Sequence, residues 1–142
     1  MAAEAFTASE WKKVRAELDK NPERYGLPAR RPGSVLFASF NIRKLGAVKK
    51  RSPQTWDFLV HVLSRFDLVA VQEVMSNLEG LRHLKDKLGK EYGLITSDVT
   101  GSFYTDDEGE EGMAERLAFL FHWPTVARTE MASDVSCERS QL

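Results

Sequence analysis

Ser34-Val35-Leu36-Phe37-Ala38-Ser39-Phe40-Asn41-Ile42-Arg43 and its echo, Asp67-Leu68-Val69-Ala70-Val71-Gln72-Glu73-Val74, decide the fold. Each is an apolar run of strand length that stops at a polar side chain able to hold a metal, Asn41 in one and Glu73 in the other. Between them Ser52 to Phe66 reads as a helix. Ser52 suits an N-cap and Pro53 the first helical position. Trp56, Leu59, Leu63 and Phe66 recur at helical spacing to make its buried stripe. A strand–helix–strand unit puts its two strands parallel in one sheet, so both end on the same edge. Ligands of open α/β sheets bind outside the carboxyl ends of the strands, which is where Asn41 and Glu73 are expected to converge.

The first strand is expected over Val35 to Ile42 and the second over Asp67 to Gln72. Both are apolar on both faces and therefore want cover on both. Upstream, Thr7 to Lys20 reads as a helix with a Thr7–Glu10 capping box and a Phe6–Trp11 staple. Pro28, Pro32 and Gly26 mark a linker after it. Downstream, Asn77 is expected to cap a helix with the stripe Leu78, Leu81, Leu84 and Leu88, which Gly89 ends. Tyr92 to Ser97 reads as a third strand parallel to the first two. Arg116 to His122 reads as a fourth, returning antiparallel, and Thr125 to Thr129 as a short fifth. The expected organisation is a helix and linker over 1–33, a catalytic-type domain over 34–131 and a loose tail over 132–142.

The chain has 142 residues, 42% of them hydrophobic and 29% charged, with a net charge of −1. That is ordinary for a soluble domain with a real core, and no global field recruits nucleic acid or a membrane. Cys137 is the single cysteine, so no internal disulfide can form. The opening MAAEAFTASEW lacks the basic-then-apolar pattern of a secretory leader, and no run has the length of a membrane span. The expected location is cytoplasmic. No GxxxxGK[ST] loop, no GxGxxG after the first strand and no GxSxG elbow is present.

An amide oxygen and a carboxylate are hard donors that suit Mg2+ or Mn2+, an ion that can polarise a phosphoryl oxygen and help form hydroxide from water. Arg43, Lys44, Lys49, Lys50 and Arg51 follow the first strand and overhang the same edge as Asn41, where they suit a substrate phosphate. Glu115 stands at the start of the fourth strand, on that edge. The acidic loop 106–111 leaves from the same side and opposes a polyanion. Each feature also has a plain structural reading. Asn after a strand forms turns, Glu after a strand is exposed, and a basic loop is solvated. None of His61, His83 and His122 falls on the expected edge, so no general base is seen there.

Phe37-Ala-Ser-Phe-Asn41-Ile-Arg43, Val71-Gln-Glu73-Val74 and Glu115-Arg-Leu-Ala-Phe-Leu-Phe121 occur in the order in which the endonuclease/exonuclease/phosphatase superfamily, the DNase I-like proteins, carries its motifs. The resemblance runs from about Val35 to Thr129. It implies the N-terminal half of a four-layer α/β sandwich, with two mixed sheets face to face and helices outside. It implies a divalent-metal-dependent phosphoesterase, most plausibly a nuclease-type phosphodiester hydrolase. By resemblance, Asn41 is an active-site amide near metal and phosphate, Glu73 is the principal metal carboxylate, and Glu115 orients a catalytic histidine. The family's catalytic histidine, its Asp-x-Asn pair and its C-terminal Asp-His pair belong to the second half of the fold. Met75 stands where DNase-type members carry an arginine, and Met113 where they carry a tyrosine.

Met75 and Met113 speak against DNase-like DNA handling, and the absence of the second-half groups leads to the expectation of a truncated chain that is inactive alone. Nothing in the sequence is expected to cover the second face of the sheet. The alternative function is therefore a non-catalytic interaction module, binding a second chain or itself through that uncovered face.

Overall fold

The computed structural model describes residues 6–98 and 115–129. Three helices, α1 (Ala8–Lys20), α2 (Pro53–Leu63) and α3 (Glu79–Leu88), accompany four strands, β1 (Phe37–Leu45), β2 (Leu68–Met75), β3 (Tyr92–Thr96) and β4 (Glu115–His122). The strands form one mixed sheet in the order β1-β2-β4-β3. The class is α/β. β1 and β2 are parallel, and β4 is antiparallel to both β2 and β3, so β3 runs in the direction of the first two. The expected Thr125–Thr129 strand is not formed. Those residues leave β4 through a turn, and the Thr125 hydroxyl instead donates to Asp67 Oδ1 over 2.7 Å. The acidic loop 106–111, Met113 and the tail 132–142 lie outside the described residues.

Helices cover one face of this sheet. Ile42, Val69, Val71, Ala118 and Leu120 point into a core closed by Trp56, Leu59 and Leu63 of α2 and by Leu81 and Leu84 of α3. Ser52 caps α2 as its spacing predicts, accepting from Thr55 N at 3.2 Å. The start of α3 differs from expectation. Leu78 takes the cap position at φ 54°, and Asn77 Oδ1 accepts from Glu79 N in a turn just ahead of the helix. α1 docks on α2 through Trp11 against Phe58, ring centroids 5.3 Å apart, and through Asp19, which takes His61 and Arg65.

The opposite face is open. Phe37, Leu117 and Phe119 are 57%, 53% and 42% exposed on it. Register places Phe37 beside Leu68 and Phe119 between Ala70 and Ile95, so these side chains form one apolar surface. Among the described residues no second layer covers it.

One buried charge fixes the end of the sheet far from the Asn41 edge. Asp67 is 1% exposed. It accepts from Leu36 N at 2.7 Å, from Arg30 Nη1 on both oxygens at 3.1 and 3.0 Å, and from Thr125. Burial pushes its carboxyl pKa up, but the Leu36, Thr125 and Arg30 hydrogen bonds together hold it below the usual aspartate value. The linker, β2 and the turn after β4 are thereby tied to one carboxylate.

Candidate metal and phosphate site

The strands do not stop at Asn41 and Glu73 but run through them. β1 extends to Leu45 and β2 to Met75, and the ladder is broken by a shift in register after Asn41 on one strand and between Val71 and Val74 on its neighbours. The breaks come from backbone in the left-handed region: Arg43 at φ 42°, Lys44 at φ 51° and Glu73 at φ 54°. Non-glycine residues rarely adopt this conformation, and its cost is met only where surrounding contacts enforce it. Such bulges re-aim side chains at a sheet rim.

The result is a compact knot of hydrogen bonds. Asn41 Nδ2 donates to Glu73 Oε1 over 2.6 Å. Lys44 N donates to Glu73 Oε2 over 3.1 Å, and Arg43 N donates to Asn41 Oδ1 over 2.8 Å. The Asn41 amide, then the Lys44 backbone N–H, hold the Glu73 carboxyl below the usual glutamate range. Glu73 is therefore ionised, aimed and partly open to solvent.

A carboxylate has about four lone-pair sites, and two donors leave capacity on both oxygens. A hard divalent ion fits this donor set, with water and a substrate phosphate completing the coordination as magnesium prefers. Among the described residues no group of three or more His, Cys, Asp and Glu converges on a metal position. Of the Asn41–Glu73 pair, Glu73 is the anionic member. Asn41 gives its NH2 to Glu73 and its oxygen to Arg43, so it enters first as the group that aims the carboxylate.

The basic stretch divides. Arg43, Lys44, Lys49 and Lys50 are exposed at the rim. Arg51 turns inward. Its Nη2 donates to Ile42 O at 2.5 Å and Arg43 O at 2.7 Å, and its guanidinium lies 5.8 Å from the Trp56 ring centroid. The same loop is held from behind. Trp56 Nε1 donates to Val48 O at 3.2 Å, Glu79 Oε1 accepts from Val48 N at 3.3 Å, and Gly80 lies so close that a Cβ there would meet Gly46 O at 2.4 Å. Met75 packs against Gly46, making the rim apolar at that point.

Glu115 opens β4 opposite Met75, so it stands on the same rim, and it shares the open face with Leu117, Phe119 and, across the sheet, Asn41. The structure brings Asn41 and Glu73 into contact and sets Glu115 along the same edge. All three histidines lie elsewhere. His61 pairs with Asp19, His83 sets its ring edge against Trp56, and His122 sits at the opposite end of β4 beside Thr125. Sequence reasoning missed the inward role of Arg51 and the brace from Glu79 and Gly80. The available signal was Trp56, an aromatic five residues past Arg51 on a helix that must pack beneath the loop.

No family model matches the chain. It is 34% identical over 90 residues to deoxyribonuclease-1 of Oryctolagus cuniculus, covering 63% of this chain and 31% of that protein. It is 34% identical over 91 residues to the Canis lupus familiaris deoxyribonuclease-1, covering 62% and 30%. With the Homo sapiens deoxyribonuclease-1 the identity is 28% over 98 residues, covering 68% and 33%. The chain spans about a third of the length of the curated relatives it matches.

Proposed function

We propose, on the premise that this chain is DNase I-like over the 90 or so residues it shares with those nucleases, that it carries half of a divalent-metal-dependent phosphodiester hydrolase site acting on nucleic acid. The observation that carries the reading is the Asn41–Glu73 pair at the bulges of two parallel strands, with a basic loop beside it.

Mg2+ or Mn2+ at Glu73 would supply Lewis acidity toward a phosphoryl oxygen and a more acidic bound water. The protein's own contribution is orientation and charge. Asn41 and the Lys44 amide keep Glu73 ionised and fix its plane. Arg43, Lys44, Lys49 and Lys50 hold the phosphates of a polyanionic substrate against the rim. Glu115 orients a histidine acting as general base, in the role the family resemblance gives it. No histidine is among the described rim residues.

The test is metal-dependent nicking of plasmid DNA and cleavage of a generic phosphodiester, with Glu73→Ala measured alongside. Turnover that needs the metal and vanishes in the variant supports the reading. Turnover that survives Glu73→Ala overturns it.

The open sheet face favours a second reading, an interaction module whose apolar face meets another chain or a second copy. Phe37, Leu117 and Phe119 support it, because exposed apolar patches of this kind mark interfaces.

A further inference from the structure

We infer that Arg51 is the positioning residue of the Glu73 site: its guanidinium clamps the carbonyls of Ile42 and Arg43 and so holds the backbone turn that aims Asn41 and Lys44 at Glu73. The inference rests on the proposed metal role of Glu73 only for its last consequence.

The geometry is specific. Ile42 O and Arg43 O belong to consecutive peptides, and one Nη2 reaches both, at 2.5 and 2.7 Å. The second of those peptides leads into Lys44, and both Arg43 and Lys44 are left-handed. The N–H groups of these two residues are the ones that bind Asn41 Oδ1 and Glu73 Oε2. Releasing the carbonyls lets Arg43 and Lys44 relax to ordinary backbone, which swings both N–H groups away. Glu73 then loses a donor directly, and Asn41 loses the contact that orients its amide.

Arg51 is itself fixed. It lies against the Trp56 ring, on a helix whose N-cap is the very next residue, Ser52. The two hydrogens of one guanidinium nitrogen serve both carbonyls, while the planar group lies against the ring and keeps its charge. The arrangement also separates Arg51 from its basic neighbours: it serves the protein's own backbone, and they remain for phosphate.

The experiment uses the full, isotope-labelled chain without metal, comparing the wild type with Arg51→Met and Arg51→Lys. It reads hydrogen exchange of the Lys44 amide by NMR. Manganese alone is then added, and broadening of Glu73 is followed. In Arg51→Met the Lys44 amide is expected to exchange about tenfold faster or more, while the Val69 and Leu120 amides keep their protection. More manganese is needed for the same broadening. Arg51→Lys recovers part of each effect. An unchanged Lys44 exchange in folded Arg51→Met overturns the inference. Should Arg51→Met lose protection throughout the sheet, Arg51→Lys decides: faster Lys44 exchange with Val69 still protected supports the clamp, and unchanged Lys44 exchange overturns it. A wild-type chain that shows no manganese broadening at Glu73 sinks the metal reading and leaves the clamp standing on the metal-free measurements.

Discussion

Asn41 and Glu73, 32 positions apart in the chain, are joined by a 2.6 Å hydrogen bond across the parallel pair β1 and β2, just where both strands bulge. The bond uses the NH2 of one residue and a single oxygen of the other. It therefore fixes the plane of the carboxylate without consuming its capacity for a further ligand. Because it stabilises the charged form, it is also the largest cause of the lowered Glu73 pKa.

Asn41→Ala should raise the Glu73 pKa toward the ordinary glutamate value. The sign follows from linkage. A depressed carboxyl pKa keeps the charge, and any cation bound to it, at pH values where an ordinary glutamate is protonating. Both are lost as pH falls through the folded value. In Asn41→Ala that loss comes at higher pH. Side-chain carbon chemical shifts of Glu73 followed across the acid range check it, and an unmoved midpoint contradicts it.

Glu73→Gln keeps one oxygen, for either the Asn41 or the Lys44 donor, turns an NH2 toward the other, and removes the charge. Manganese-induced broadening around residue 73 should disappear. Stability should change by less than about 1 kcal/mol, because the group is partly solvated and its shape is kept. Paired relaxation and thermal-melting measurements separate the two. A large fall in Tm would show that Glu73 is structural.

Much of this rim is legible in the residues alone. The helix between two apolar runs dictates parallel strands, and parallel strands run out toward one edge, which brings Asn41 and Glu73 there. The bulges are not legible, because Arg43, Lys44 and Glu73 are ordinary L-residues in a conformation that only glycine would have advertised. The direction of β3 follows from the helix before it. The insertion of β4 between β2 and β3 does not, since a hairpin-like return fixes direction and one neighbour but leaves the other unspecified. Thr125 to Thr129 carries three β-branched residues, Thr125, Val126 and Thr129, yet buried Asp67 claims the Thr125 hydroxyl, and a buried carboxylate's need for donors outweighs weak local propensity.

Asp67 is the acid-sensitive point of the fold. Its folded pKa lies below the ordinary aspartate value, so the stability it contributes is fully present above the unfolded pKa and is lost as pH falls through the folded one. Asp67→Ala removes a buried acceptor shared by three donors, of which Arg30 and Thr125 reach solvent, and should cost on the order of 2 kcal/mol. It should also flatten the acid limb of the stability profile. Denaturant unfolding of both proteins between mildly acidic and neutral pH tests it, and parallel acid limbs would refute it.

Gly80 tests the brace behind the basic loop. A methyl at this position meets backbone, Gly46 O at 2.4 Å, along with Leu45 and Trp56 side chains at 3.1 Å. Backbone cannot rotate away, so α3 or the loop must move. Helix propensity alone would favour alanine. Gly80→Ala is nevertheless expected to destabilise by about 1–3 kcal/mol, the usual cost of overpacking. It should also perturb the amide of Val48, which is held by Glu79 one residue away. A neutral or stabilising substitution would mean that the loop is softer than its contacts indicate.

The open sheet face makes the last prediction. Its side chains come from adjacent strands in register, Phe37 beside Leu68, then Ala70, Phe119 and Ile95 across the sheet, so it is continuous rather than scattered. Ser39 and Gln72 hydrogen-bond to each other on the same face at 2.8 Å, so one Gln72 N–H already has a protein partner there. Burying such a surface is favourable in proportion to its apolar area. The full chain should therefore associate as its concentration rises. Phe119→Asp should abolish the association, because a charge there would have to be desolvated on contact, and Glu73→Gln should leave it intact. Sedimentation velocity over a wide concentration range reads both variants. A chain that stays monomeric throughout removes the interaction-module reading. Association that responds to Glu73→Gln instead of Phe119→Asp would move the interface to the metal rim.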